Sequence, residues 1–159
     1  MAFQLNYKYG MTPDEIRQYW PNLNLQKFHF TSIRTPAYNC LAWAIGNDDT
    51  WMDMYYFKDI YNLEIKNLDH SVHGYAECLK KYYRFEICNN GDIEKRKEKI
   101  VLYENNEKDF AHIAHQLPNG NWTSKMGRLE DIEHYSVEAL SGEFYGKPVL
   151  YMQRERITK

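Results

Sequence analysis

The chain has 159 residues, a length that suits one domain with a hydrophobic core of its own. Hydrophobic residues make up 43% of it, a proportion that excludes a disordered chain. The formal net charge is -2 at pH 7, which excludes a general electrostatic attraction to nucleic acid or to anionic membranes. We therefore expect a single globular domain over residues 1–159.

The first half of the chain predicts helices. Thr12 is a good N-cap and Pro13 suits the first helical position, so a helix begins there and ends before Pro21. Four helices and one extended segment are expected in this half: helices over 12–20, 39–45, 51–61 and 71–82, and an extended segment over 27–33.

The second half predicts strands separated by polar turns. The expected strands cover residues 85–88, 99–103, 110–117, 121–125 and 148–152. Helices that precede an antiparallel meander are typical of the α+β class. We expect the N-terminal helices to pack on a small antiparallel sheet.

The helix over 39–45 carries a thiol in its first turn. Its residues are apolar on every side, so the helix must be buried, and Asn39 is a suitable N-cap that places Cys40 next. Free backbone N–H groups and the helix dipole stabilise an anion at this position, which predicts a lowered thiol pKa and an oxyanion site. The alternative is that Cys40 is a small buried hydrophobic residue, a common role for cysteine.

A nucleophilic cysteine needs a histidine as general base, and the chain has six histidines. His112 begins a predicted strand, and His115 should point to the opposite face of that strand. His70 and His73 have helical spacing and form a weaker candidate metal pair, for which no cysteine or carboxylate lies at ligand spacing nearby. We therefore expect no metal site and no cofactor.

The order of these residues resembles the papain-like fold, and most of all its compact NlpC/P60 and CHAP amidases and peptidases. Cys40 opens a buried helix, and the segment 112–125 supplies a histidine at the start of a strand, a glycine turn and a second strand with polar residues. The resemblance implies a papain-like α+β domain with Cys40 as nucleophile and His112 as general base.

The chain also resembles a family of uncharacterised domains with the motifs NCxAWAxG and HxAxQLPNGxWTSKxG, for which no activity is established. The matching segments are Asn39–Gly46, Gly74–Cys78, His112–Gly127, Asp131–His134 and Tyr145-Gly146. These segments span most of the chain.

The papain-like resemblance leaves the third catalytic residue open. Ser124 on the second strand is one candidate orienter of the imidazole, and His134 after that strand is the other, with a helix start as its structural alternative. Asn39 is expected to donate to an oxyanion as well as cap the helix, and Tyr38 to form a groove wall. Lys125 is expected either to bind an acidic substrate group or to pack.

The resemblance implies a cysteine hydrolase or acyltransferase that acts on an amide or isopeptide bond, in the amidase, peptidase or deamidase class. Its partner would be a protein, a peptide or a small amide, with no nucleic acid and no membrane. The alternative is an inactive papain-like binding or inhibitory module that works through protein–protein contacts. Replacing Cys40 by serine separates the two, because only the enzyme depends on the thiol.

The cysteines and the N-terminus predict the compartment. The chain has three cysteines without paired spacing, which favours free thiols in a reducing environment. The first ten residues lack the basic start and long apolar centre of a signal peptide, and no apolar run reaches membrane-spanning length. We expect a cytoplasmic protein, with delivery to another cell left open.

Overall fold

The computed structural model describes residues 12–23 and 27–156. Short 3-10 turns cover Ile65–Asn67 and Glu138–Leu140. The described helices and strands, in chain order, are α1 Pro13–Tyr19, β1 Phe28–Phe30, α2 Cys40–Ala44, α3 Met54–Tyr61, α4 Val72–Tyr83, β2 Glu86–Cys88, β3 Lys97–Glu104, β4 Phe110–Gln116, β5 Trp122–Lys125, β6 Asp131–His134 and β7 Lys147–Glu155. No helix of this described part is long and apolar enough to cross a membrane.

The helices begin where the sequence provides a side-chain cap. Thr12 and Glu15 form a reciprocal capping box at α1, with Pro13 as the first helical residue. Asp53 and Ser71 cap α3 and α4 by accepting the backbone N–H groups of Tyr56 and Gly74, three residues on. These local signals explain why the helix starts could be read from the sequence.

Seven described strands form one antiparallel sheet in the order β1-β6-β5-β4-β3-β7-β2. The α+β prediction is therefore confirmed, although the sheet is larger than expected and dominates the fold. The strand β6 was missed in the sequence: Asp131–His134 pairs with β5 on one side and β1 on the other. His134 thus lies within a strand, and neither follows the sheet nor begins a helix.

Each face of the sheet carries its own hydrophobic cluster. The first face packs against α2, α3 and α4 and includes Leu102 and Ile113 of the central strands. The second face packs against α1 and the segment before β7, and includes Tyr103 and Ala114. Neighbouring residues of a strand point to opposite faces, so β3 and β4 contribute alternately to the two clusters.

The sheet opens between β4 and β5 at one end. Within residues 110–125, which are all described, β4 and β5 pair at two positions only, His115 with Thr123 and Gln116 with Trp122. On their other edges both strands stay paired further along. There β4 pairs with β3 as far as Phe110, and β5 pairs with β6 as far as Lys125. Helix α2 contacts both strands and covers this end of the sheet. Cys40 therefore lies where the ladder between β4 and β5 is open.

Candidate active site around Cys40

Asn39 fixes the start of α2. Its side-chain oxygen accepts the backbone N–H of Ala42 at 3.2 Å and that of Met52 at 3.2 Å, and its amide donates to the Met52 carbonyl at 2.6 Å. The predicted cap is therefore present. The amide that was expected to donate to an oxyanion is already bonded to the loop before α3.

Cys40 is partly exposed, yet its sulfur is surrounded by protein. Burial raises the pKa of the thiol to about 11, while the backbone N–H groups of Ile113, Leu41 and Cys40 and the charge of Lys125 lower it. This direction is opposite to the sequence-based expectation. The N–H groups of the helix start do face the sulfur as expected, but the loss of hydration outweighs them.

His112 belongs to β4, and its side chain lies on the second face of the sheet with Tyr103 and Tyr145. It pairs with Tyr103 in the β3–β4 register and stacks on the ring of Tyr145, with centroids 4.2 Å apart and planes inclined by 5°. The side chain is fully buried, and neither ring nitrogen has a hydrogen-bond partner among the described residues. The structure therefore does not join His112 to Cys40 by a hydrogen bond. It places His112 one residue before Ile113, whose backbone N–H lowers the pKa of the thiol.

The two candidates for the third catalytic residue are bonded to each other. The Ser124 hydroxyl lies 2.8 Å from Nε2 of His134, and Nδ1 of His134 lies 2.9 Å from the Ser136 carbonyl. A carbonyl only accepts, so Nδ1 carries the proton and the Ser124 hydroxyl donates to Nε2. This leaves the Ser124 oxygen free to accept on the face of the sheet that also carries His112.

Burial also governs the charge of both histidines. It lowers the pKa of His134 to about 4, although the Ser136 carbonyl and the charge of Glu133 raise it. Burial lowers the pKa of His112 well below its usual value, and the nearby His134 lowers it further. Both imidazoles are neutral at physiological pH, which is the form that can accept a proton.

Lys125 and Tyr38 hold the chain before α2. The Lys125 ammonium donates to the carbonyls of Thr35 at 2.7 Å and Gly127 at 2.5 Å, and it lies 4.9 Å from the centre of the Tyr38 ring. Burial lowers the pKa of Lys125 to about 8. Tyr38 is buried and donates its hydroxyl to Asp131 at 2.5 Å. Both side chains support the site from behind, and neither lines the cavity described next.

A cavity of about 450 Å³ opens beside the thiol. Asn39, Cys40, Ala111 and Tyr145 are among the residues that line it. Its volume falls within the range of about 300–1,000 Å³ typical of small-molecule sites. A substrate in this cavity would therefore meet the sulfur, the start of β4 and the Tyr145 ring.

Tyr145 is a site residue that the sequence did not reveal. Its ring contacts His112 and lines the cavity with Cys40, and the charge of a Cys40 thiolate adds to burial in raising its pKa. Gly146 fixes this position, because a Cβ there would lie 1.8 Å from the Glu104 carbonyl oxygen and its φ is +76°. The only sequence signal was the Tyr145-Gly146 pair, which has no chemical meaning until the fold places it.

The remaining predicted candidates lie elsewhere. His115 faces Glu98 on the first face of the sheet, and His73 lies on the exposed side of α4. Cys78 and Cys88 are free thiols outside the cavity, and burial raises both pKa values. Across residues 12–23 and 27–156, no three His, Cys, Asp or Glu side chains form a group that could hold a metal ion.

Comparison with known proteins assigns a family and no activity. Neither the curated proteins nor the solved structures give a match to this chain. Residues 29–153 match the family described as a domain of unknown function, DUF7689, a range that contains every candidate site residue named above. The chain therefore belongs to the DUF7689 family.

Proposed function

We propose that the protein is a papain-like cysteine hydrolase or acyltransferase acting on an amide bond, with Cys40 as nucleophile and His112 as general base. One observation carries the proposal. A fully buried imidazole with two unbonded nitrogens lies one residue from Ile113, whose backbone N–H lowers the pKa of the Cys40 thiol. Buried polar groups are almost always hydrogen-bonded, so this imidazole needs an explanation. One explanation is that His112 is a catalytic base whose hydrogen-bond partner arrives with the substrate.

The raised pKa of the Cys40 thiol determines the protonation states from which the mechanism starts. The resting pair consists of a neutral thiol and a neutral imidazole rather than a preformed ion pair. His112 would take the thiol proton as the sulfur bonds to the carbonyl carbon, and would give it to the nitrogen as the carbon–nitrogen bond breaks. Water or an amine then attacks the thioester, again with His112 as base, and the thiol is restored. Water gives hydrolysis, and an amine gives transfer.

The oxyanion of the tetrahedral intermediate has nearby donors. The backbone N–H groups of Cys40 and Leu41 face the sulfur at the start of α2, and donors in this position stabilise developing negative charge. Tyr145 lines the same cavity as Cys40, so its hydroxyl can serve as a further donor. It replaces Asn39 as the expected side-chain donor.

The orienting role falls to Ser124 acting together with His134. The Ser124 oxygen keeps its capacity to accept, while its hydroxyl is held by His134. An imidazole N–H of His112 that turns toward Ser124 would present its other nitrogen as base. The chain order of nucleophile on a helix, base on a strand and orienter on the next strand agrees with a papain-like arrangement.

The test compares hydrolysis of a panel of acyl-amino acid anilides by the wild type and by single variants. We expect Cys40→Ser to abolish activity and His112→Ala to reduce kcat by about 10²–10⁴. Cys88→Ser, a thiol outside the cavity, is the matched control and should leave kcat unchanged. Activity that survives Cys40→Ser would refute the proposal.

A binding module is the competing function, and the raised pKa of Cys40 is the observation that favours it. Such a module would retain its ligand when Cys40 is replaced by serine. A wild type without turnover on any amide, together with ligand binding that does not depend on the thiol, would decide for this alternative.

A further inference from the structure

Five aromatic side chains line the cavity beside Cys40. The contributing rings are those of Tyr19, Trp20, Trp51, Phe144 and Tyr145. Phe144 contacts three of them, with centroids 5.1 Å from Tyr19, 5.7 Å from Trp20 and 5.1 Å from Tyr145. Aromatic rings at these separations form a continuous apolar surface with favourable edge and face contacts.

Three of these rings remain exposed at the mouth. The exposed fractions are 51% for Phe144, 41% for Trp51 and 37% for Tyr19. Exposing several large rings to water in one concave site is unfavourable, and covering them with an apolar ligand would be favourable. Such a rim marks a site that a ligand covers.

Two polar side chains around the cavity already have partners: Glu15 accepts the backbone N–H of Thr12, and Asn39 is bonded to Met52. The Arg128 guanidinium lies 5.7 Å from the centre of the Trp51 ring and keeps its N–H donors. A sugar or a charged side chain needs several free hydrogen-bonding groups to replace its water. This cavity offers few, so it favours an apolar occupant.

We propose that the substrate is an amide whose acyl part carries an aromatic side chain, which packs against Phe144, Tyr145 and Trp51. The inference rests on the proposed function for the bond that reacts, and on the cavity walls for the side chain. The cavity of about 450 Å³ has room for one such ring with the amide beside the sulfur. Phe144 is the main specificity residue.

Binding tests the specificity without chemistry. The Cys40→Ala protein is titrated with N-acetylphenylalanine methylamide and with N-acetylglycine methylamide, and Kd is measured from chemical-shift changes. We expect at least about tenfold tighter binding of the phenylalanine amide, because its ring leaves water. Phe144→Ala in the same background should remove most of this preference.

Tyr135→Ala is the matched control, since Tyr135 is an exposed aromatic residue (55%) outside the cavity. The proposal is overturned if both amides bind alike, or if Phe144→Ala and Tyr135→Ala have the same effect. Turnover of the corresponding anilides by the wild type separates the two claims. Tight binding of the aromatic amide without turnover refutes the chemistry alone, and equal turnover of glycine and phenylalanine anilides refutes the aromatic specificity alone.

Discussion

The pKa of Cys40 shows two opposed effects at one sulfur. The start of α2 directs N–H groups at it, as expected for an activated thiol, but burial outweighs them and raises the pKa to about 11. Sequence reasoning could place the thiol at the helix start because the cap is local. It could not weigh the N–H groups against burial, which depends on β4 and on the loops around the cavity.

We expect alkylation of Cys40 by iodoacetamide to be slow at pH 7 and to rise about tenfold per pH unit until pH approaches 11, since only the thiolate reacts. Mass spectrometry of the alkylated peptides, measured from pH 6 to pH 11, gives the profile. Fast alkylation below pH 8 that is lost in His112→Ala would show a preformed ion pair and would contradict the neutral resting pair.

Glu130 is a buried carboxyl group that ionises near neutral pH. Both of its oxygens are buried without a hydrogen-bond partner among the described residues. Burial raises its pKa to about 7, although its own backbone N–H and the charges of Arg34 and Lys125 lower it. The folded state thus holds a proton that the unfolded chain releases at about pH 4.5. Stability present below pH 4.5 is lost as the pH rises toward 7.

Glu130→Gln should therefore stabilise the protein at pH 8 by roughly 2–3 kcal/mol and change little at pH 4. Urea unfolding at both pH values measures the difference. Glu143→Gln, at an exposed position, is the control and should show no such dependence on pH. Equal effects of Glu130→Gln at pH 4 and pH 8 would contradict the assigned protonation.

At the scale of elements, α2 depends on its cap. It has only five residues, and helices of this length do not hold by themselves. Asn39→Ala removes two accepted bonds and one donated bond, so we expect a loss of about 2–4 kcal/mol in the free energy of unfolding. Asn39→Asp keeps the two accepted bonds and should lose clearly less. Equal losses in urea unfolding would mean that the cap does not matter.

Gly146 controls the position of Tyr145 relative to β3. A Cβ at Gly146 would collide with the Glu104 carbonyl, whereas a Cβ at Gly127 would have no heavy atom within 4 Å, although both residues have positive φ. Gly146→Ala should therefore destabilise the protein by more than 2 kcal/mol beyond Gly127→Ala. Thermal unfolding of both variants measures this, and equal Tm values would contradict the close approach.

The elements also show how far a sequence can be read. Caps and alternating patterns predicted four helices and five of the strands near their observed positions, because these signals are local. The strand Asp131–His134 escaped because Asp131, Glu133 and His134 are polar. They are buried or half-buried only because Tyr38, Asn121 and Ser124 bond them. Such bonds join distant segments and leave no periodic signal.

At the scale of the whole molecule, two buried histidines oppose folding in acid. The pKa of His134 falls from 6.5 to about 4 because the ring is buried. As the pH drops below 6.5, His134 takes up a proton in the unfolded chain but not in the folded protein. The free energy of unfolding therefore decreases down to about pH 4. His112 acts in the same direction.

His134→Gln should make the free energy of unfolding less dependent on pH between 6.5 and 4, by roughly 2–3 kcal/mol over that range. Urea unfolding at intervals of half a pH unit gives the slope. His73→Gln, on the exposed side of α4, should leave the slope unchanged. A slope that is the same in all three proteins would contradict a neutral His134.

Because the ladder between β4 and β5 is open at Ile113, the backbone amide of Ile113 can report on the covalent state of Cys40. Ile113 has no paired residue on β5, and its N–H lowers the pKa of the Cys40 thiol. Acylation or alkylation of that sulfur adds atoms beside the amide, so the surroundings of the Ile113 N–H change. The Ile113 resonance in a nitrogen–proton spectrum therefore reads the covalent state of Cys40 directly, before any substrate has been identified.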